Sequence, residues 1–140
     1  SRDFIAGARR ARKIFGGGMR QAGILAAACL HALDQHRRLL PEDHRRARRL
    51  AELSEPPADI SVLGGVPETN IVIWEFPERL SALDVIKTLA GEGILLSDFG
   101  PGILRAVLHL EIDDDGVESA GRAIRAALRV PTPRHAPVVS

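Results

Sequence analysis

The feature that most constrains this chain is a proline-containing break at residues 54–59, where the residue pattern changes. Before it, apolar side chains recur at helical spacing, whereas after it short strand-like stretches alternate with helix-like ones. Proline removes a backbone donor and disfavours helix at the preceding residue, so Pro56 and Pro57 end the helical part. The break predicts a helical part over residues 1–54, a smaller α+β domain over residues 55–129 and a disordered tail over residues 130–140.

Two helices separated by glycines are expected at the start of the chain. Residues 2–14 predict a basic helix, which the glycine triplet at residues 16–18 ends because glycine frees the backbone. A longer helix is predicted over residues 19–38. It carries apolar residues at the spacing of a buried stripe, namely Ile24, Leu25, Ala28, Cys29, Ala32 and Leu33.

A third helix is predicted over residues 41–53. Pro41 suits its first turn, and the carboxylates of Glu42 and Asp43 favour its positive end. Four arginines are expected to face solvent or another subunit, namely Arg45, Arg46, Arg48 and Arg49.

Strands and helices alternate after the break. The apolar run at residues 70–76 predicts a strand that is buried on both faces, and Ser81 begins a capping box ahead of a helix. Strands are predicted at residues 94–97 and 103–111, and Asp113 caps a last helix. Helices followed by a β-α-β-β-α unit place the chain in the α+β class, with a small sheet covered by helices.

The charges nearly cancel but are unevenly distributed. The 140 residues include 19 basic and 18 acidic ones, with a net charge of +7 over residues 1–53 and −6 beyond. With one Trp and no Tyr to stack bases, no nucleic-acid partner is expected. The apolar run at residues 22–30 is too short to span a bilayer, so no membrane partner is expected. Cys29 is the only cysteine, which excludes an internal disulfide and fits the cytoplasm.

The strand predicted at residues 103–111 carries a candidate binding site. Alternation places Arg105 and His109 on one face, opposite the apolar side chains of Leu104, Ala106, Leu108 and Leu110. A guanidinium held on a strand suits bidentate binding of a carboxylate. From the spacing alone, an ion pair between Arg105 and an acid of the same sheet is the commoner outcome, and both interpretations stay open.

The glycine triplet is a second candidate, for an anion. Free backbone N–H groups at a helix start, with Arg20 in the first turn, can hold an anion that Lys13 also reaches. The alternatives are a flexible hinge and a solvated lysine. His31, His36 and His44 lack the i, i+4 spacing of a helical metal pair, so no metal site is expected.

Several segments match the motifs of one enzyme family. The most specific is Lys-Ile-Phe-Gly-Gly-Gly-Met-Arg-Gln at residues 13–21, within a similar run over residues 12–28. Further matches, in the family's order, are Glu42-Asp43-His44, Thr69-Asn70 and Arg105-Ala106-Val107-Leu108-His109-Leu110. With these segments the chain resembles the low-specificity L-threonine aldolases, which are pyridoxal-phosphate enzymes of fold type I. The family usually has Thr where this chain has Leu108.

The resemblance implies an activity and roles for four residues. The family cleaves L-threonine or L-allo-threonine to glycine and acetaldehyde, as homodimers or homotetramers. Arg105 matches the arginine that binds the substrate α-carboxylate, and Lys13, Gly18 and Arg20 match positions near the cofactor phosphate. The family's Schiff-base lysine precedes the equivalent of this chain's first residue. The chain is therefore expected to be a C-terminal portion that contains no catalytic residue and is inactive alone.

Two other classes of function stay open. A related pyridoxal-phosphate β-eliminating lyase or aminotransferase would share the fold and the carboxylate-binding arginine. A non-catalytic α+β module that binds an amino acid, or a remnant that pairs with full-length subunits, would need no chemistry. A binding module is expected to be a monomer, whereas a chain with exposed interfaces is expected to associate.

Overall fold

The computed structural model describes residues 1–77 and 80–129, so the tail predicted to be disordered, residues 130–140, lies outside the described residues. The chain divides into two structural units, residues 1–37 and the residues from Arg38 onward. The domain boundary predicted at residue 54 falls inside the second unit, because the helix before the prolines packs against a helix and a strand that follow them.

The first unit is helical. Helix α1, Arg2–Ile14, begins where the Ser1 hydroxyl accepts a hydrogen bond from the Phe4 backbone N–H at 3.2 Å, and it ends before the glycines, as predicted. Helix α2, Gly23–His31, begins four residues later than the sequence predicts. It continues into a π-helical turn, Ala32–His36, and a 3₁₀ turn, Arg37–Leu39.

The apolar stripe of α2 is exposed, which contradicts the prediction that it is buried. Ile24 is 75% exposed and Leu33 is 60% exposed, and no residue of α2 is buried. Helical spacing identifies which residues share a face, but a face is buried only where another element covers it.

The second unit combines helices with an antiparallel sheet. In the described part of the chain its helices are α3 (Leu40–Ser54), α4 (Ala82–Ala90) and α5 (Asp114–Arg129). Its strands are β1 (Ser61–Val62), β2 (Ile71–Glu75), β3 (Ser97–Asp98) and β4 (Ile103–Val107). The strand order is β1-β2-β4-β3. The α+β class is therefore confirmed, and β1 is an additional strand that the sequence did not indicate.

Strand β2 is buried on one face only. Val72 and Trp74 are buried, whereas Ile71 and Glu75 on the opposite face are exposed. The prediction of two buried faces is wrong, because the core of this unit forms on the Val72 and Trp74 side. An apolar run alone does not distinguish these cases when a sheet is antiparallel.

The core joins that sheet face to α3 and α5. Trp74 is fully buried, and its indole N–H donates to the Ser54 hydroxyl at the end of α3, at 3.1 Å. Gly121 allows α5 to approach α3 closely, since a Cβ atom there would collide with the Leu53 side chain. Further core residues come from α3, α4, β4 and α5: Ala47, Leu50, Val85, Leu89, Leu104, Ile124 and Leu128.

Arginines of α3 pair with acidic residues of α5. Arg45 Nη2 and Arg46 Nε lie 2.7 and 2.8 Å from Asp114 Oδ1. Arg49 Nη2 lies 2.6 Å from Glu118 Oε1. Arg45, Arg48 and Arg49 are exposed, as predicted, and Arg46 is half-buried. The ion pairs with α5 are a further feature that the sequence did not indicate.

We expect the Asp114 ion pairs to stabilise the fold only above acidic pH. Hydrogen bonds from Arg46 and then Arg45 hold the pKa of the Asp114 carboxyl below its ordinary value of 3.8. A carboxyl whose pKa is lowered by folding stabilises above its unfolded pKa, and this stabilisation is lost as the pH falls through the folded pKa. Asp114→Asn should lower the urea midpoint slightly at pH 7, and its difference from the wild type should shrink as the pH falls below the ordinary carboxyl pKa of 3.8.

The matched control for this measurement is Asp115→Asn. Asp115 lies in the same first turn of α5, so it interacts equally with the helix dipole, but it forms no ion pair among the described residues. Equal losses for both variants at pH 7 would contradict a specific contribution from the Arg45 and Arg46 pairs.

Candidate functional site

Arg105 lies in the middle of β4 and is partly buried. Its Nε–H donates to the Ser97 hydroxyl oxygen at 3.2 Å, and the Ser97 hydroxyl donates to the Arg105 carbonyl at 3.4 Å. The guanidinium carbon lies 4.7 Å from the centroid of the Phe99 ring. Among the described residues, no carboxylate forms an ion pair with Arg105. The ion pair between Arg105 and an acid of the same sheet, which the spacing favoured, is therefore not observed among the described residues.

The hairpin between β3 and β4 sets these positions. Ser97 is the register partner of Arg105 across the two strands. In the connecting turn, the Gly100 N–H donates to Asp98 Oδ1 at 3.0 Å, and the Phe99 N–H donates to the Ile103 carbonyl at 3.1 Å. The turn therefore brings an aromatic ring and a hydroxyl to the same arginine.

His109 lies beyond the end of β4, so the strand predicted over residues 103–111 is too long. Strand β4 ends at Val107, where the Asn70 side-chain amide donates to the Leu108 carbonyl at 2.7 Å. The chain then turns, and His109 Nδ1 accepts a hydrogen bond from the Glu111 N–H at 3.4 Å. Leu110 is likewise beyond the strand and exposed.

The glycine triplet in the first unit has a tightly turned backbone. Gly16 has a φ of 81°, and the Gly17 N–H donates to the Arg12 carbonyl at 2.7 Å. A Cβ atom at Gly18 would lie 3.5 Å from the Lys13 Cγ atom, so the stem of Lys13 runs beside Gly18. Arg20 is exposed in the turn that leads to α2.

The chemistry of this segment suits a phosphate group. The side chains of Lys13 and Arg20 are exposed and cationic. Within the described chain, the N–H groups of Gly18 and Met19 make no backbone hydrogen bond. These N–H groups lie in the segment before α2, which begins at Gly23, and not at the helix start that the sequence predicts. Cationic side chains beside free backbone N–H groups still favour an anion. Within their own units, the structure thus brings Lys13 close to Gly18, and Arg105 close to Ser97 and Phe99.

The π-helical turn brings together two histidines that helical spacing did not connect. The rings of His31 and His36 lie edge to face with centroids 5.0 Å apart. They are five residues apart, and a π-helical turn makes such residues neighbours. Over residues 1–77 and 80–129, no three residues of the His, Cys, Asp and Glu types are grouped so as to hold a metal ion.

Asp43 is buried, which the sequence analysis does not predict. Its side chain is buried, and Oδ1 has no hydrogen-bond partner in the part of the chain that the structure describes. Asp43 precedes Ala47 and Leu50 by four and seven residues, so it lies on the buried face of α3. This spacing in the sequence indicates that Asp43 is buried, whereas the prediction above places its carboxylate only at the positive end of the helix.

A cleft of about 310 Å³ lies elsewhere in the second unit. Its lining is mainly apolar and comes from residues 92–96, the end of β4 and α5, including Ile94, Leu108, Val117 and Ile124. None of the predicted site residues lines it. In the described residues, no helix is both long enough and apolar enough to cross a bilayer.

Structural comparison identifies the class of fold. A solved structure of LysN, an alpha-aminoadipate aminotransferase from Thermus thermophilus complexed with N-(5'-phosphopyridoxyl)-L-leucine, matches with a TM-score of 0.56. The match has 19% identity and covers 76% of this chain and 29% of that one. This chain therefore shares an α+β fold with a part of that aminotransferase. Residues 1–74 match the family model of the beta-eliminating lyases. The chain belongs to the beta-eliminating lyase family.

Comparison with curated relatives shows which enzymes of this family the chain resembles. The chain is 40% identical over 120 residues to a probable low-specificity L-threonine aldolase 2 of Arabidopsis thaliana, covering 84% of this chain and 34% of the relative. It is 35% identical over 129 residues to the low specificity L-threonine aldolase of Escherichia coli K12, covering 91% and 37%. The chain therefore spans about a third of the length of these relatives. The resemblance to threonine aldolases inferred from the glycine-triplet and Arg105 motifs is confirmed.

Proposed function

We propose that this chain is part of a pyridoxal-phosphate-dependent threonine aldolase. The full-length enzyme would cleave L-threonine or L-allo-threonine to glycine and acetaldehyde. The observation that carries the proposal is the Arg105 guanidinium, held by Ser97 and Phe99 and without an acidic partner among the described residues. A fixed guanidinium binds a carboxylate through two parallel hydrogen bonds. Arg105 therefore binds the substrate α-carboxylate and orients the amino acid.

The glycine segment fits the phosphate of the cofactor. Lys13 and Arg20 supply positive charge, and the Gly18 N–H is free to donate. Pyridoxal phosphate, when bound, supplies an electron sink for the pair released as the Cα–Cβ bond breaks. In this proposal, Lys13, Gly18 and Arg20 anchor the phosphate of the cofactor.

We extend the proposal to a homodimeric or homotetrameric enzyme in the cytoplasm. Several large apolar side chains of the first unit are exposed, namely Phe4, Ile14, Phe15, Ile24 and Leu25. Large apolar side chains gain free energy when they leave water, so these residues favour burial against another subunit or another part of the enzyme. A single cysteine, Cys29, fits a reducing compartment.

The 140-residue chain alone is expected to give no acetaldehyde from threonine and added pyridoxal phosphate. Its lysines are Lys13 and Lys87. Lys13 is exposed, and the Lys87 side chain is 74% exposed and lies 3.9 Å from Asp84. Neither lysine has the enclosed surroundings that a Schiff-base lysine requires. Acetaldehyde is measured with alcohol dehydrogenase and NADH, and turnover above a free-cofactor control would contradict the prediction.

The activity itself is tested in a chimaera. The chain replaces the matching 120-residue segment of the Arabidopsis relative, which contributes the remaining two thirds of the protein. A threonine aldolase segment should support release of acetaldehyde from threonine. Release of pyruvate from serine, or of a keto acid by transamination, would instead identify the lyase or aminotransferase alternative. A soluble chimaera with none of these activities would favour the non-catalytic module.

A further inference from the structure

A guanidinium can bind a carboxylate along either of two edges. The side edge consists of Nε and one Nη, and the end edge consists of both Nη atoms. The two edges direct a bound carboxylate along different lines, so the edge in use decides how a substrate is oriented. At Arg105, the neighbouring residues determine which edge is free.

Ser97 occupies the side edge of Arg105. Its hydroxyl oxygen accepts the Nε–H at 3.2 Å, and its hydrogen is directed to the Arg105 carbonyl at 3.4 Å. One hydroxyl can perform both functions, because it has one donor and two acceptor sites. Register partners on adjacent strands have side chains on the same face, so the β3–β4 pairing fixes Ser97 beside Arg105.

The guanidinium of Arg105 also lies over the Phe99 ring. Its ring centroid lies 4.7 Å from Cζ, within the range of a cation–π contact. The Phe99 N–H donates to the Ile103 carbonyl, which extends the strand pairing past Asp98 and holds the ring near Arg105. A carboxylate must therefore approach Arg105 from a direction that the Phe99 ring does not occupy.

The geometry points to Ser97 and Phe99 as positioning residues that reserve the Nη1 and Nη2 edge of Arg105 for an end-on carboxylate. Ser97 holds Nε, and Phe99 restricts rotation of the guanidinium plane. The identity of the carboxylate rests on the proposed function. The contact between Ser97 and Arg105 does not depend on the proposed function. An experiment can therefore contradict the identity of the carboxylate without contradicting the positioning role of Ser97.

The positioning role is tested by NMR of arginine Nε–H groups in the 140-residue chain. The Arg105 signal is assigned by its loss in Arg105→Lys. We expect its exchange with water to be slower than that of the exposed Arg122 and to accelerate about fivefold in Ser97→Ala, the effect of losing one hydrogen bond. Ser97→Thr keeps the hydroxyl and suits a strand, so it should restore slow exchange.

Ser61→Ala is the matched control, because Ser61 is also a strand serine, with its hydroxyl 3.3 Å from Glu75 Oε2. This variant should leave the Arg105 signal unchanged. An exchange rate that is unaffected by Ser97→Ala, or equally affected by Ser61→Ala, would overturn the positioning role.

The free edge is tested with 2,3-butanedione, which condenses with the two Nη atoms of an arginine. Mass spectrometry should find Arg105 modified in the wild-type chain, and failure to modify it would overturn the assignment of a free end edge. Added glycine serves as the carboxylate probe. Protection of Arg105 by glycine would support the proposed function, whereas its absence would count against that function and leave the Ser97 result standing.

Discussion

Trp74→Ala is expected to lower the free energy of unfolding by about 3–5 kcal/mol. Trp74 is fully buried in the core between the sheet and α3, so truncation removes apolar contacts and leaves a cavity. It also removes the indole donor from the buried Ser54 hydroxyl. A loss of this size is a large fraction of the stability of an ordinary domain. Urea unfolding followed by far-UV circular dichroism measures it.

Two further variants test the cause of the stability loss in Trp74→Ala. Trp74→Phe keeps an aromatic ring but loses the hydrogen bond to Ser54, so its loss should be clearly smaller. Leu83→Ala truncates an exposed side chain on α4 and should change stability little. A loss below about 1 kcal/mol for Trp74→Ala would show that this side chain does not organise the core.

Arg105→Ala should lower kcat/KM for threonine in the chimaera by about 100-fold or more. Losing one partner of a hydrogen-bonded charge pair costs about 2–5 kcal/mol, and a hundredfold change corresponds to about 3 kcal/mol. Arg105→Lys keeps the charge but loses the planar fork, so its activity should be intermediate. Steady-state kinetics with the acetaldehyde assay separate the effects on kcat and KM.

Arg122→Ala is the control for this series. Arg122 is an exposed arginine of the same unit, 3.6 Å from Glu118, and it lies outside the proposed site. Its replacement should leave kcat/KM within about twofold, as for surface substitutions away from special features. Wild-type kcat/KM in Arg105→Ala would exclude a substrate-binding role for Arg105.

Local signals in the sequence were sufficient to predict where most of the helices begin. Ser81 and Asp113 begin helices where predicted, because a short polar side chain accepts a hydrogen bond from an N–H of the first turn. The alternation of Leu104 and Ala106 with Arg105 likewise predicted which face of β4 is buried. The glycine-triplet and Arg105 motifs were sufficient to indicate the family.

What the sequence determined by itself was therefore local: helix starts, the strand faces of β4 and the residue types that indicate a pyridoxal-phosphate enzyme. Only the tertiary structure decided that β2 is buried on one face, that the stripe on α2 is exposed, and that α3 arginines pair with α5. It also decided that Ser97 and Phe99 hold Arg105. These outcomes depend on which distant segments pack or pair together, and no spacing within a single segment specifies its partner.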